Sequence, residues 1–425
     1  MDPIHVALIG AGRRAWGVYC EFLPQLSRFL KLVAVCDPLK DSADKAAARL
    51  GVPAFYSLRE LVRARPMEAA IVVTPVESHH AISVFLSRHG IHHICETSMA
   101  STLQQSREML SAARENKVVL HINEQFFRRE VIAFSRQIAA SGVIGPVHRM
   151  TNYHAHVGYH NNSIFQVFAG ARPVSVNAVE QNMPVRRHLD GAGRWHEVEN
   201  YRLRFMTFAN GFCVTDSAGN IKSALGRCPR PGYLEIDGTE GSIVEQPSER
   251  PAPWESRAEV RLVASENFAR GAYAESYPIE RIVRAEPGMG CEREYISERL
   301  PHGGDFYKLR VRLPQGTLEY LNPLFEYGIT NNYLSTVAQS SLDFVRVLRE
   351  GARPEFSAEQ AVISAEMESA FARSVELGGG RVNLPFDGQT TQDEETLAAL
   401  RKSHGVDPLD VEAMIDVAFP KNYVA

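Results

Sequence analysis

The chain has 425 residues, a formal net charge of −4 and 23% charged residues. These are ordinary values for a globular protein and give no basic stripe for nucleic acid. No apolar run approaches the roughly 18 residues needed to span a bilayer, and the start lacks the layout of a secretory leader.

The cysteines Cys20, Cys36, Cys95, Cys213, Cys228 and Cys291 form no CxxC pair. A reducing, cytoplasmic compartment without a disulfide framework is therefore expected. The short apolar run 4–9 stops at Gly10 and predicts a buried parallel strand. Gly10 and Gly12 then allow a tight turn and the close approach of a pyrophosphate. Ala15 is the small third position of G-x-G-x-x-[GA], where a helix packs on the strand. A second strand pattern ends in Asp37, whose carboxylate can accept both ribose hydroxyls of an adenosine. It would repel a 2′-phosphate. Pro38 and Leu39 offer no guanidinium, and only Lys40 and Arg13 are cationic nearby, so NAD is expected rather than NADP.

Further strand patterns fall at 69–75, 92–96 and 117–124, with helical periodicity at 77–90 and 102–116 between them. This alternation predicts a doubly wound parallel sheet with ligands at the carboxyl ends of its strands. Those ends carry Gly10, Asp37, Thr74, Glu96 and Glu124. Beyond Gly145 the rhythm changes to near-consecutive strands at 147–157, 171–181, 201–218, 232–246 and 258–264. "FANGF" and "IDGTEG" supply hairpin-turn chemistry, so this sheet is expected to be antiparallel. Residues 222–232 and 247–258 read as loops, and 265–330 as an insertion or lid. Two amphipathic helices follow, the second opened by an N-cap-like Ser357. The expected division is 1–124, an α/β Rossmann domain; 125–388, an α+β domain with a large open sheet; and 389–425, a helical tail.

Four motifs carry a resemblance to a known family: the glycine turn, "VVTPVESHH", "GIHHICETS", and "NEQFFRRE" followed by "SGVIGPV". Together they are similar to the Gfo/Idh/MocA family, which includes glucose–fructose oxidoreductase and inositol dehydrogenase, over residues 4 to 385. The resemblance implies an NAD-binding Rossmann domain, a second domain whose sheet covers the nicotinamide, and a homodimer or homotetramer. It implies a cofactor lining of Gly10, Gly12, Arg13, Arg14, Asp37, Thr74, Pro75, His79, Glu96, Thr97 and Gln125. It also implies a catalytic lysine and a following proline, but Thr97 and Ser98 stand there instead. An early D-x-x-x-H pair in the second domain is replaced by His156 and His160.

His160 is the candidate base, because an unperturbed imidazole titrates at about 6.5. His156 could orient it, and Tyr159 is a fallback donor. Arg128, Tyr153 and His154 are candidate substrate contacts; for Arg128 and Arg129 a fixed salt bridge is an equal alternative. His154, His156 and His160 could form a three-histidine metal site, but acid–base and substrate-binding roles are the preferred reading, with no metal. The expected function is NAD-dependent oxidation or reduction of a sugar-like or cyclitol-like polyol. A redox-neutral enzyme using bound NAD, or a cofactor-binding regulatory protein, are the alternatives.

Overall fold

The computed structural model describes residues 2–154, 158–189, 195–219, 232–247, 255–264, 274–284 and 294–419. The first sheet is parallel. Its strands are β1 (Ile4–Ile9), β2 (Leu30–Cys36), β3 (Ala54–Phe55), β4 (Ala69–Val72), β5 (His92–Cys95) and β6 (Leu120–Ile122), in the order β3-β2-β1-β4-β5-β6. Strand order reverses between β1 and β4, which opens a crevice at their carboxyl ends. Both faces are covered, so β4 is buried throughout and its sequence shows no alternation.

The second sheet joins β7 (Val147–His154), β8 (Pro173–Leu189), β9 (Trp195–Phe208), β10 (Cys213–Ala218), β11 (Tyr233–Gly238), β12 (Gly241–Pro247) and β13 (Glu255–Val263). It continues through β14 (Ala274–Arg284), β15 (Glu294–Ser297), β16 (Leu300–Pro301), β17 (Lys308–Leu313), β18 (Gly316–Leu321) and β19 (Val382–Asn383). The order is β18-β17-β14-β13-β12-β11-β7-β10-β9-β8-β19. Only β7 and β10 pair in parallel; the other described pairings in this sheet are antiparallel. "FANGF" makes the β9–β10 hairpin, closed by Phe208 N–H donating to the Phe212 carbonyl at 2.9 Å.

Two expectations are corrected here. Residues 265–330 are not a separate lid in their described part. They supply β14 to β18 and extend the sheet. Their period was hidden by cross-strand charge pairs on half-exposed positions, among them Arg310–Glu280 at 2.7 Å and Lys308–Glu319 at 2.9 Å. Residues 255–258, expected in a loop, begin β13.

The helix Asn332–Glu350 lies on the first sheet. Val337, Phe344 and Val345 share one buried cluster with Ile4, Val6, Leu8 and Ile94. The helix Ala358–Glu376 starts from a Ser357–Gln360 capping box. After it come the helix Thr391–His404 and the short helix Val411–Met414, the latter packed on the helix Val76–Arg88 of the first domain. Val411 and Met414 are buried there, and Arg59 binds Glu412 at 2.8 Å.

The helix Gly158–Ala169 is anchored beneath the second sheet by a buried polar network. Arg204 on β9 donates to Asp216 on β10 at 2.5 Å, to Glu368 at 2.7 Å and to Asn162 at 2.9 Å. Asn152 on β7 donates to the other Asp216 oxygen at 2.6 Å. Removing one partner of such a pair strands a buried charge. Arg204→Met is expected to destabilise the protein by about 3–5 kcal/mol, measured by urea unfolding at neutral pH. A change within error would mean that Arg204 does not hold this helix.

Candidate active site

Gly10 ends β1 with φ of +96°, and a Cβ there would lie 2.7 Å from the Val73 carbonyl oxygen. Only glycine fits this close approach of two strand ends. The chain then enters a π-helical segment, Ala15–Tyr19, and the short helix Cys20–Phe22. Asp37 is buried at the end of β2. One of its oxygens accepts the Ala11 amide at 2.8 Å, the other the Leu39 amide at 2.8 Å. The glycine turn is thus tied to the second strand. A carboxylate offers about four acceptor positions, so each oxygen retains capacity for a hydroxyl. Burial pushes the Asp37 carboxyl up, against the two amide bonds that pull it down. Arg13 is exposed beside the turn.

Glu96 follows β5 and collects three elements. Arg14 approaches it at 2.8 Å, the Tyr19 hydroxyl donates to it at 2.7 Å, and the Thr97 amide donates at 3.1 Å. Asn123 donates to the Tyr19 oxygen at 2.6 Å, and Arg14 also bonds the Tyr333 hydroxyl. The Thr97–Ser98 peptide bond is cis. The Thr97 side chain is short, and its nearest polar contact is Glu96 at 3.5 Å. The cation beside Glu96 is Arg14, from the glycine turn.

The central feature is a pair that no single motif contained. Glu124, just beyond β6 and fully buried, faces His160 on the helix Gly158–Ala169, with Oε2 2.9 Å from Nδ1. The other Glu124 oxygen accepts the Phe126 amide at 2.8 Å. The Phe126 ring stacks on the imidazole at 4.3 Å and 8°. Burial alone would lower the His160 pKa, but the Glu124 charge and hydrogen bond outweigh it and raise the value. Glu96 adds to the rise and Arg14 opposes it.

Several expected site residues take other positions. His79 does not turn its ring to the crevice. Its two nitrogens lie 2.8 Å from the Ser98 and Thr74 carbonyls, tying two loops together. Arg128 is not available for a substrate anion. It is buried, bonds the Glu124 carbonyl at 2.8 Å and pairs with Asp343 at 3.2 Å and Glu355 at 3.3 Å. Arg129 pairs with Glu245 at 2.7 Å. Tyr159 is buried, which drives its pKa far up; its hydroxyl lies beside the Met99 backbone but makes no hydrogen bond of normal geometry. Tyr153 sits near Glu199 and Tyr201; burial and then these neighbours push its pKa to about 12. His156 and the His154 side chain lie outside the described residues, and so does any three-histidine set. Thr74 and Pro75 stand at the carboxyl end of β4, where Pro75 caps the helix Val76–Arg88.

The crevice fits a dinucleotide on its own geometry. Gly10 lets the ends of β1 and β4 approach closely, Asp37 ends the second strand, and the buried Asn123 Oδ1 and Gln125 Oε1 have no hydrogen-bond partner among the described residues. A glycine turn at a strand reversal, with an acidic end to the next strand, defines a dinucleotide-binding Rossmann protein. Residues 4–124 match the model of the GFO_IDH_MocA oxidoreductase family, NAD-binding Rossmann fold. Over this domain the chain is similar to that family.

Among its relatives is D-glucoside 3-dehydrogenase of Escherichia coli, 29% identical over 153 residues, which are 35% of this chain and 43% of that one. Levoglucosan dehydrogenase of Pseudarthrobacter phenanthrenivorans is 23% identical over 57% of this chain and 74% of its own. The chain spans less than half the length of the first curated relatives it matches. A solved levoglucosan dehydrogenase in complex with NADH and L-sorbose superposes with a TM-score of 0.62 at 20% identity, over 91% of this chain and all of that one. That likeness extends the shared fold to the second sheet. No described helix is long and apolar enough to cross a membrane.

The raised His160 pKa has a defined consequence for stability. A group raised on folding stabilises the protein below its unfolded pKa, about 6.5 for histidine, and that contribution is lost as pH rises through the folded value. The stability gap between wild type and Glu124→Gln is therefore expected to be widest below about pH 6.5 and to narrow above the folded pKa. NMR titration of the imidazole supplies that pKa. A His160 value at or below the ordinary one would contradict the pairing.

Proposed function

We propose that the protein is an NAD(H)-dependent oxidoreductase acting on a sugar-like or cyclitol-like polyol or its keto form. The observation that carries this reading is the buried His160–Glu124 pair beyond the carboxyl end of β6, on the side of the sheet where the strand ends carry Gly10 and Glu96. The cofactor, when bound, accepts or returns the hydride. Gly10, Gly12 and Asp37 would hold its adenosine side, and Thr74, Pro75, Glu96, Asn123 and Gln125 would line its other end.

Oxidising an alcohol also requires a base for the hydroxyl proton. With Nδ1 held by Glu124, Nε2 is the ring nitrogen that takes the proton. Glu124 then faces the positive imidazolium and stabilises it, and the Phe126 stack keeps the ring plane fixed. In the reverse direction the same imidazolium returns the proton to a carbonyl. Thr97 brings no positive charge to the reacting oxygen. Arg14 is the nearest substitute, held in place by Glu96 and Tyr333.

His160→Ala is expected to lower turnover by about 10² to 10⁴ while NADH binding, read by fluorescence, is retained, because proton transfer and cofactor binding use different groups. Near-wild-type turnover would move the role elsewhere. Turnover of a polyol with no net NADH formation would favour a redox-neutral reaction, and NADH binding with no turnover a regulatory protein.

Titration of NADH and NADPH at matched salt is expected to favour NADH, with Asp37→Ala narrowing the difference. Tighter NADPH binding by wild type would sink the assignment of Asp37.

A further inference from the structure

Lys40 and Arg13 are the cations nearest the adenosine end of the crevice. Lys40 opens the helix Lys40–Leu50, just beyond Asp37. The Leu39 amide donates to Asp37 Oδ1 at 2.8 Å, so the next residue starts close enough for a lysine stem to reach the surroundings of that carboxylate. A 2′-phosphate on the adenosine ribose would stand there, and lysine is a good phosphate partner. The Lys40 ammonium is turned elsewhere. Its Nζ donates to Asp44 Oδ2 at 2.5 Å and to the Tyr56 hydroxyl at 3.2 Å. The Tyr56 hydroxyl in turn donates to Asp44 Oδ1 at 2.7 Å, closing a ring of three side chains. We propose that Asp44 and Tyr56 form a clamp that withdraws Lys40 from the ribose, which makes Asp44 a determinant of cofactor choice. Asp37 repels a 2′-phosphate; Asp44 denies it a cation. The inference rests on the NAD(H) reading above and adds a specificity-determining residue to it.

The topology sets the direction of the pull. Tyr56 directly follows β3, and the order β3-β2-β1-β4 places β3 on the side of β2 away from the glycine turn. The helix Lys40–Leu50 runs from the carboxyl end of β2 back to the start of β3, because these two strands are parallel. Asp44, one turn along that helix, therefore lies further from the carboxyl ends of the strands than Lys40 does. Both partners draw the ammonium away from β1 and from the place of the ribose.

Helix stability does not account for the pair. A cation in the first turn opposes the helix dipole, and lysine ahead of the acid is the poorer order for an i,i+4 contact. The Asp44 carboxyl is held below the ordinary carboxylate range, by Lys40 first and Tyr56 next, so the acid stays ionised and the clamp stays charged at neutral pH. Lys40 and Tyr56 are exposed and Asp44 is half-buried, which fixes the size of the effect. Meeting a phosphate would require the lysine to give up one exposed ion pair, a factor of about two to five. Specificity can be built by leaving a competitor's charge unpaired as well as by repelling it.

The test titrates NADH and NADPH by fluorescence into the full-length protein at low and at raised ionic strength. Asp44→Ala is expected to tighten NADPH by about two- to fivefold, to leave NADH nearly unchanged, and to lose the gain in high salt, which screens an exposed pair. Lys40→Ala should leave both nucleotides close to wild type, and adding it to Asp44→Ala should abolish the gain. Asp41→Ala removes an exposed carboxylate from the same turn and should not reproduce it. The series is repeated with Asp37→Ala, which removes the repulsion and brings NADPH into a measurable range. A gain that persists without Lys40, or that Asp41→Ala matches, would mean bulk charge and would overturn the clamp. Unchanged NADPH affinity on loss of Asp44 in both backgrounds would overturn it too, while a wild-type preference for NADH would leave the assignment of Asp37 standing. Weaker NADPH binding in Lys40→Ala would show that the lysine already serves the phosphate, which also overturns the clamp. Binding of neither nucleotide by any variant would defeat this inference and the NAD(H) reading together.

Discussion

A buried carboxylate must be satisfied, and one oxygen of Glu124 is met by a partner from the other sheet's side of the molecule. Its own neighbourhood supplies one amide, from Phe126. The remaining oxygen is met by His160, on a helix held by Arg204, Asp216 and Glu368. Leaving an ionised carboxylate unpaired in that position costs several kcal/mol. The seating of the helix Gly158–Ala169 is therefore coupled to the end of β6. The network under the second sheet and the crevice of the first are mechanically one arrangement, with the imidazole at the joint.

The departure at Thr97 has a local compensation. In the absence of a lysine, Glu96 is occupied by Arg14, Tyr19 and the Thr97 amide. The guanidinium comes from the glycine turn, so one short segment both shapes the dinucleotide cradle and carries the positive charge next to the candidate acid–base pair. Burial disfavours that charge, but the contact with Glu96, reinforced by Tyr333, keeps Arg14 protonated. The opposed influences of Glu96 and Arg14 on His160 show how closely the two clusters are coupled.

How much of this was legible in the chain depends on range. The glycine turn, Asp37 and the parallel sheet were readable because each is specified within a few residues by backbone conformation and apolar runs. The Ser357 cap was readable for the same reason. Glu124 was visible as a strand end, but its partnership with His160 was not: the two are 36 positions apart on separate elements, and no periodicity joins them. For Arg128 the salt-bridge alternative is the one found, and the direction of the His79 ring was not legible. A motif gives a residue's place along the chain, not the direction of its side chain, and the His79 ring is held between the Ser98 and Thr74 carbonyls. Strands β14 to β18 escaped because Arg, Lys and Glu pairs on the half-exposed face replaced the expected alternation of apolar and polar residues.

The outer face of the first sheet is covered by a helix made very late. Arg14 and its contact Tyr333 are 319 positions apart, and Phe344 and Val345 share a core with β1. During synthesis at about 5–20 residues per second, the strands that carry the glycine turn would wait on the order of 15–60 s for that cover. In this interval Ile4, Val6 and Leu8 have only the early members of their cluster, such as Val18, Phe22 and Leu26, on that face. The core beneath the glycine turn is therefore complete only when a helix from the far end of the chain has been made.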